Sequence, residues 1–402
     1  MVLLLPVNPR LERLADNPFS KLRELFDGVQ PRSNEPVLPW AVGEPQHAPP
    51  PMLAQILAEK AEFWNRYPPP AGTPEYRAAC AGWLTRRYRL PAGMVDPDRN
   101  VMIVNGTKEA LFLCPQMAVP QEKAGRVPTV LLPNPYYNVY NAGAIFAGAE
   151  PVYLDCTKET GFLPDLDAIP AETLERCALF YLCNPANPQG AIADLDYLKK
   201  AIKLARAYDF VLLADECYSE VYQRREPPGA LQACAELGGS LDHVLVFHSL
   251  SKRSNAAGLR CGFVAGDPHL IERFSHLRSY AGAAVPVPIQ EAAVALWNDE
   301  AHVDANRVLY RRKFDIAQNY LEGKFGFYRP EGGFFLWLDV EDGEKAALTL
   351  WRDAGIRTLP GAYTARANPG SANPGQRFIR VALVHDDATI EAGMKRLLRA
   401  LT

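Results

Sequence analysis

The sequence has no CxxC pair, and none of its eight cysteines joins a histidine at zinc-ligand spacing. Neither a metal site nor a disulfide framework is expected. The thiols at positions 80, 114, 156, 177, 183, 217, 234 and 261 read as reduced and buried. Charge of neither sign dominates: 43 Lys+Arg against 46 Asp+Glu leave a formal net charge of -3. That balance argues against nucleic acid or a membrane surface as a partner, and leaves room for a small acidic metabolite held by local basic residues. No stretch is apolar for long enough to span a bilayer. The opening Met1–Pro6 is apolar but short, with no basic segment and no small-residue cleavage site, so it is not expected to be a signal peptide. There is no internal repeat and no low-complexity tract, and the expected compartment is the cytoplasm.

What is present is an ordinary globular composition, 48% hydrophobic and 22% charged, in a chain of 402 residues. That length favours two domains. Short apolar runs bounded by Pro, Asn, Asp or Gly read as buried strands at Thr129–Leu132, Val152–Leu154, Leu179–Leu182, Phe210–Ala214, Val244–Phe247 and Cys261–Ala265. Helical patterns lie between several of them, the clearest at Asp194–Tyr208. Alternation of this kind implies an α/β fold with an open, mostly parallel sheet. After about residue 285 the pattern changes to helices at Ile289–Trp297 and Asp304–Leu321. Strands at Phe334–Leu338 and Phe378–Leu383 follow, with helices near Lys345–Ala354 and from Ala388 onward. The expected division is an N-terminal arm over 1–46 packing on a smaller α+β domain over 286–402, and a large α/β domain over 47–285.

Ligands of open α/β sheets bind beyond the carboxyl ends of the strands. The polar groups that follow the apolar runs are therefore the ones to inspect. Ser249-Leu250-Ser251-Lys252, with Arg260 downstream, would alone read as a surface loop. A desolvated lysine near other cations, however, is neutral often enough to attack an aldehyde. Hydroxyls and a guanidinium beside it suit a phosphate. Pyridoxal 5′-phosphate (PLP) carries both groups. Asp215 ends the run Val211–Ala214 and reads either as a helix cap or ion-pair partner, or as the carboxylate that keeps a pyridine nitrogen protonated. Tyr218 stands three residues on. Asn187-Pro188 is ordinary turn chemistry, or an amide for the cofactor's ring oxygen. Gly106-Thr107-Lys108 opens a helix, whose free N–H groups serve the helix alone or a phosphate. Tyr137 packs in a core or stacks on a ring.

In order and spacing these groups resemble the class I/II, fold type I, PLP-dependent aminotransferases. The likeness is carried by Gly43-Glu44-Pro45, Tyr67 with Gly72-Thr73-Pro74, Asn105-Gly106-Thr107-Lys108, Asn184-Pro185-Ala186-Asn187-Pro188, Asp215-Glu216-Cys217-Tyr218, Ser249–Lys252 with Arg260, and Arg380 in Phe378–Ala382. It spans nearly the whole chain. It implies a large domain with a mostly parallel sheet of the seven-stranded type, which binds PLP, plus the smaller domain. Lys252 would form the Schiff base and shuttle protons. Asp215 would pair with the pyridine nitrogen, Asn187 and Tyr218 with the ring oxygen, and Tyr137 would stack on the ring. Gly106, Thr107, Lys108, Ser249 and Arg260 would hold the phosphate. Arg380, with Gly43 and Asn187, would bind substrate, Arg380 taking the α-carboxylate. Tyr67 would reach the phosphate of the other subunit, implying a homodimer with shared sites.

Within the family the sequence is similar to bacterial N-succinyldiaminopimelate aminotransferases, in Asn134–Tyr137, Ser249–Asn255, Trp297–Val303 and Asn373–Gln376. This implies amino transfer between N-succinyl-L,L-diaminopimelate and 2-oxoglutarate or glutamate, in lysine biosynthesis. There are three departures from the pattern: the pair Ala41-Val42 before Gly43, Gln189 for a threonine, and Ala281 for a histidine, the last near the expected substrate mouth. The shared motifs also suit an aminotransferase of aspartate, aromatic or other dicarboxylic amino acids. A PLP-dependent carbon–sulfur lyase and a non-catalytic PLP-binding regulator are further alternatives, the latter needing a DNA-binding module for which the pattern leaves no room. Arg32, Arg253, Arg278 and Arg366 are candidates for a distal carboxylate, each reading more readily as a solvated surface residue.

Overall fold

The computed structural model describes residues 7–14 and 17–402. The apolar Met1–Pro6 lies outside the described residues. A seven-stranded sheet is built from β1 (Val101–Val104), β2 (Thr129–Asn134), β3 (Glu150–Asp155), β4 (Cys177–Cys183), β5 (Val211–Asp215), β6 (Val244–Ser249) and β7 (Gly262–Gly266), in the order β1-β7-β6-β5-β4-β2-β3. Strand β7 is antiparallel to both its neighbours, while β2 to β6 pair in parallel. All six expected strands form. The seventh, β1, is four residues long and was marked in the sequence only by the polar group that follows it.

The strands are apolar without alternation because both faces of the sheet are covered. Successive side chains point to opposite faces. Leu212 and Ala214 thus enter one core with Phe180, Val244 and Phe263, while Val211 and Leu213 enter the other with Tyr181, Leu245 and Phe247. Connecting helices supply the covers. The helix Leu195–Ala207 starts where Asp194 caps it, accepting the Tyr197 N–H at 2.8 Å. It buries Leu198, Ala201, Ile202 and Ala205, the three- and four-residue spacing of one helix face.

A second, antiparallel sheet of β8 (Phe335–Asp339), β9 (Leu359–Pro360) and β10 (Phe378–Ala382) runs in the order β8-β10-β9. The helices Gly343–Ala354, Asp387–Leu401 and Ala301–Leu321 pack on it. The two-residue β9 is too short to leave a period in the sequence. The N-terminal segment lies against this unit. Leu38 bridges Ile356, Trp40 accepts the Ala382 N–H at 2.8 Å, and Phe26 stacks on Trp351 at 5.3 Å. Arg10, further out, instead reaches the Phe146 carbonyl beside the large sheet at 2.8 Å.

Candidate active site

The carboxyl ends of the parallel strands open into a cavity of about 570 Å³. Its floor is set by β5 and β6. Asp215 is the last residue of β5 and Ser249 the last of β6, so both side chains emerge where the sheet stops. Ser249 then caps the short helix Leu250–Arg253, its hydroxyl accepting the Ser251 N–H at 3.1 Å. That turn projects Lys252 into the cavity. Its Nζ is buried, donates to the Gly43 carbonyl at 2.6 Å, and lies 5.2 Å from the Phe334 ring centre. Burial lowers the Lys252 ammonium from 10.5 to about 8, against the pull of Cys217 and with help from Arg380. A fraction of the amine is therefore neutral near pH 7.

Asp215 is 5% exposed and forms no ion pair with a cation among the described residues. Its Oδ2 accepts the Tyr140 hydroxyl at 2.6 Å and its Oδ1 the Cys217 N–H at 3.3 Å. Burial raises its carboxyl, opposed by those hydrogen bonds. Arg380, central in the small sheet, reaches across with Nη1 on Asn187 Oδ1 at 3.3 Å and Nη2 on the Ala41 carbonyl at 2.9 Å. The Phe335 ring lies 4.4 Å from its guanidinium carbon, and its Nε has no partner. Burial lowers this arginine to about 10. Gly43 is required where the chain passes the Phe335 ring, which a Cβ would enter.

At another wall of the cavity, Gly106 precedes the helix Thr107–Ala118 with φ of +70°, a conformation that suits glycine. A Cβ there would run into the Arg260 guanidinium. Arg260 itself donates to the Ala257 carbonyl at 2.8 Å and lines the cavity with Thr107, Lys108 and Ser249. Tyr137, Asn187 and Tyr218 complete the wall. Eleven of the thirteen residues singled out in the sequence thus meet at one cavity. Gly106 supports it from behind, and Tyr67 is fully exposed and away from it.

Sequence reading missed several lining groups. Tyr140 lies three residues beyond Tyr137 in the helix Asn138–Phe146, where it looks like a core aromatic. Pro18 and Phe19 come from the N-terminal arm. Cys217 departs from the expectation of wholly buried thiols: it lines the cavity, with Sγ 3.0 Å from the Thr107 hydroxyl. The surface reading of two arginines is also corrected. Arg278 is buried between Glu109 and the Ile103 carbonyl, and Arg253 between Glu300 and the Leu296 carbonyl. Ala281 does not line the cavity.

The family model for aminotransferase class I and II matches residues 35–397. The chain is a class I/II aminotransferase. Over 358 residues the aminotransferase is 36% identical to the 4-dedimethylamino-4-oxo-anhydrotetracycline transaminase OxyQ of Streptomyces rimosus, covering 89% of this chain and 92% of that one. Over 398 residues it is 30% identical to LL-diaminopimelate aminotransferase 2 of Nostoc sp., covering 96% and 97%. The crystal structure of an aminotransferase from Neisseria meningitidis, 38% identical, superposes with a TM-score of 0.93 over 98% of this chain and 100% of that one. The fold is thus that of the fold type I aminotransferases, and the cofactor is PLP. The residues present fit it. A buried carboxylate with no cation partner among the described residues faces the cavity, a lysine with a lowered pKa stands beside it, and hydroxyls and a guanidinium surround a helix N-terminus. Among the described residues no cluster of His, Cys, Asp and Glu is arranged to hold a metal, and no helix is long and apolar enough to cross a membrane.

Proposed function

We infer that this aminotransferase exchanges amino groups between a dicarboxylic donor and 2-oxoglutarate, with N-succinyl-L,L-diaminopimelate as the donor. The observation that carries the catalytic reading is the meeting of Lys252, Asp215 and Arg380 in one cavity, Asp215 and Arg380 buried, Lys252 half-buried, and none with a charged partner among the described residues. PLP, when bound, supplies an electrophilic carbon that captures an amine and a ring that accepts electrons from the Cα–H bond. Lys252 Nζ would take the Cα proton, hold it, and return it to carbon two bonds away, beyond the amino nitrogen. Asp215 offers its free acceptor capacity to the ring N–H, with Tyr140 and Cys217 fixing its orientation. Asn187 already uses its oxygen on Arg380, so its Nδ2 is left to donate to the ring oxygen, alongside Tyr218. Arg380 binds the α-carboxylate. Thr107, Lys108, Ser249 and Arg260 hold the phosphate, helped by the N–H groups after Gly106. Pro18 and Phe19 help keep water from the site.

Support for the donor comes from the stretches Ser249–Asn255 and Trp297–Val303. The Nostoc relative, named an LL-diaminopimelate aminotransferase, favours a second reading in which the unsuccinylated diamino acid is used. A site built for the succinyl group would leave a donor unpaired with the shorter substrate, at a cost of roughly 1–3 kcal/mol, or about tenfold to a hundredfold. The expected result is a kcat/KM for the succinylated compound above that for free diaminopimelate, N-acetylornithine, aspartate and phenylalanine by at least that factor. Preference for free diaminopimelate selects the second reading, and preference for aspartate or phenylalanine a general amino-acid aminotransferase.

The three-part division at residues 46 and 285 is supported by the two separate sheets and the arm's contacts with the smaller one. A homodimer is supported by Tyr67, exposed in the single chain yet predicted for a phosphate site. Mixing inactive Lys252→Ala protein with a Tyr67→Phe protein of impaired activity should restore activity after subunit exchange, because one mixed site would be intact. If Tyr67 served its own chain, or no chain, mixing would restore nothing.

A further inference from the structure

Lys252 sits in a helix of four residues, too short to hold its own direction. The helix ends through Asn255 at φ of +51°, a left-handed turn that asparagine accepts better than most residues. The Ser254 and Ala256 N–H groups both return to the Leu250 carbonyl, at 3.0 and 3.3 Å. The side chains of this turn are then tied to a distant helix, Ala301–Leu321.

Two residues of that helix, His302 and Asn306, lie one turn apart on one face. His302 Nε2 meets the Ser254 hydroxyl at 2.8 Å, and its Nδ1 meets Asp299 Oδ2 at 2.5 Å. Asp299, His302 and Ser254 have the order of a hydrolase triad. Ser254 is fully buried, however, so the line holds a turn and attacks nothing. Asn306, also buried, accepts from Asn255 Nδ2 on its Oδ1 at 3.1 Å and points its Nδ2 at the Lys252 carbonyl, 3.4 Å away.

The ring protons follow from these partners. A backbone carbonyl only accepts, so the Asn306 atom facing Lys252 is its nitrogen and the other its oxygen. That oxygen also meets His47 Nδ1 at 2.9 Å, so Nδ1 carries the proton and Nε2 is left to accept from Lys313. Asp299, held below its ordinary value by hydrogen bonds from His302, is ionised and fixes the His302 proton on Nδ1. Burial lowers both histidines below 6.5, which keeps them neutral near pH 7. His47 lies four residues after Gly43, whose carbonyl takes Lys252 Nζ. One stretch of chain therefore meets the lysine at its head and, through Asn306, at its main chain.

We propose that His302 and Asn306, set by Asp299 and His47, are positioning residues that fix the Lys252 turn for proton transfer. This rests on Lys252 being the proton carrier, and it goes further, because neither residue lines the cavity. An amine on a flexible four-carbon stem is aimed only if its main chain is fixed. A misplacement of about 1 Å costs roughly a hundredfold in rate.

The test uses the PLP-loaded enzyme with glutamate carrying hydrogen or deuterium at Cα. Asn306→Ala and His302→Leu should each lower kcat roughly tenfold to a hundredfold and leave KM for glutamate within about twofold. The deuterium effect on kcat should match or exceed that of the unaltered enzyme, since the slowed step is proton transfer. His47→Asn keeps an N–H near the Nδ1 position and should retain most of the rate that the similarly sized His47→Leu loses. Both forfeit the acceptor for Lys313, so the donor alone separates them. Unchanged kcat in the first two variants, a lowered kcat with the deuterium effect gone, or equal rates in the two His47 variants would overturn the proposal. The His47 pair, at a half-buried position, decides the matter where a variant of the buried Asn306 does not fold. Full turnover in Lys252→Ala would overturn the reading of the lysine itself.

Discussion

Replacing Lys252 with alanine should remove turnover, lowering kcat by roughly four orders of magnitude or more. Proton transfer by a positioned side chain is worth about 10²–10⁴, and this lysine also supplies the nucleophile that first takes up the cofactor. Among the described residues the one other lysine lining the cavity is Lys108, at the start of the helix Thr107–Ala118. Borohydride treatment of the PLP-loaded protein should leave a pyridoxyl group on Lys252, located by peptide mapping. A label on Lys108 instead would refute the assignment. The titration adds a sign. Burial holds the lysine near 8, so the neutral amine makes up roughly a tenth at pH 7. The rate at which cofactor-free protein captures PLP should climb about tenfold per pH unit below 8 and level off above it. An exposed lysine with the ordinary value of 10.5 would keep climbing two units further.

Asp215→Asn should leave the fold intact and cost roughly two to four orders of magnitude in kcat. The carboxylate ends a buried strand, and its two donors sit on different oxygens, Tyr140 on Oδ2 and the Cys217 N–H on Oδ1, so an amide oxygen keeps one of them and the isosteric side chain preserves the packing. What changes is the remaining face. An amide nitrogen turned toward the ring donates where an acceptor is needed, and the ring proton loses its counter-charge. Breaking a buried charged pair costs about 3–5 kcal/mol, and each 1.36 kcal/mol on the barrier is tenfold in rate. The measurement is single-turnover decay of the cofactor absorbance with glutamate, beside a thermal melt to confirm folding. Near-normal decay would reduce Asp215 to a structural acceptor for Tyr140.

The fold was legible in proportion to how local its causes are. Strands such as β5 and β6 announce themselves because a sheet covered on both faces demands unbroken apolar runs. The helix Leu195–Ala207 does so through its Asp194 cap and its one apolar face. Strands β1 and β9 are fixed by their partners, and four and two residues carry too little pattern to stand alone. The same distinction runs through the site. Lys252, Asp215 and Asn187 follow strands directly, so chain order places them. Tyr140 acts through a hydroxyl bonded to a residue 75 positions away, and nothing near it in sequence says so. Arg253 and Arg278 resemble surface arginines because the carboxylates and carbonyls that allow their burial are distant in the chain. Long-range pairing of charge is the part of the design that one-dimensional reading does not reach.

The three buried charges of the cavity have a consequence for the life of the chain before catalysis begins. Lys252, Asp215 and Arg380 are withdrawn from water with hydrogen bonds but without counter-ions, and burial of that kind works against folding. On the proposed roles, the cofactor would bring a ring N–H for Asp215 and a carbon that removes the lysine charge, relieving two of the three strains and leaving Arg380 to the substrate's carboxylate. Anything that binds the native state alone adds to its stability by mass action, about 4.1 kcal/mol at a thousandfold excess over Kd. Protein without PLP should therefore melt at a lower temperature and be cut faster by protease than the loaded protein.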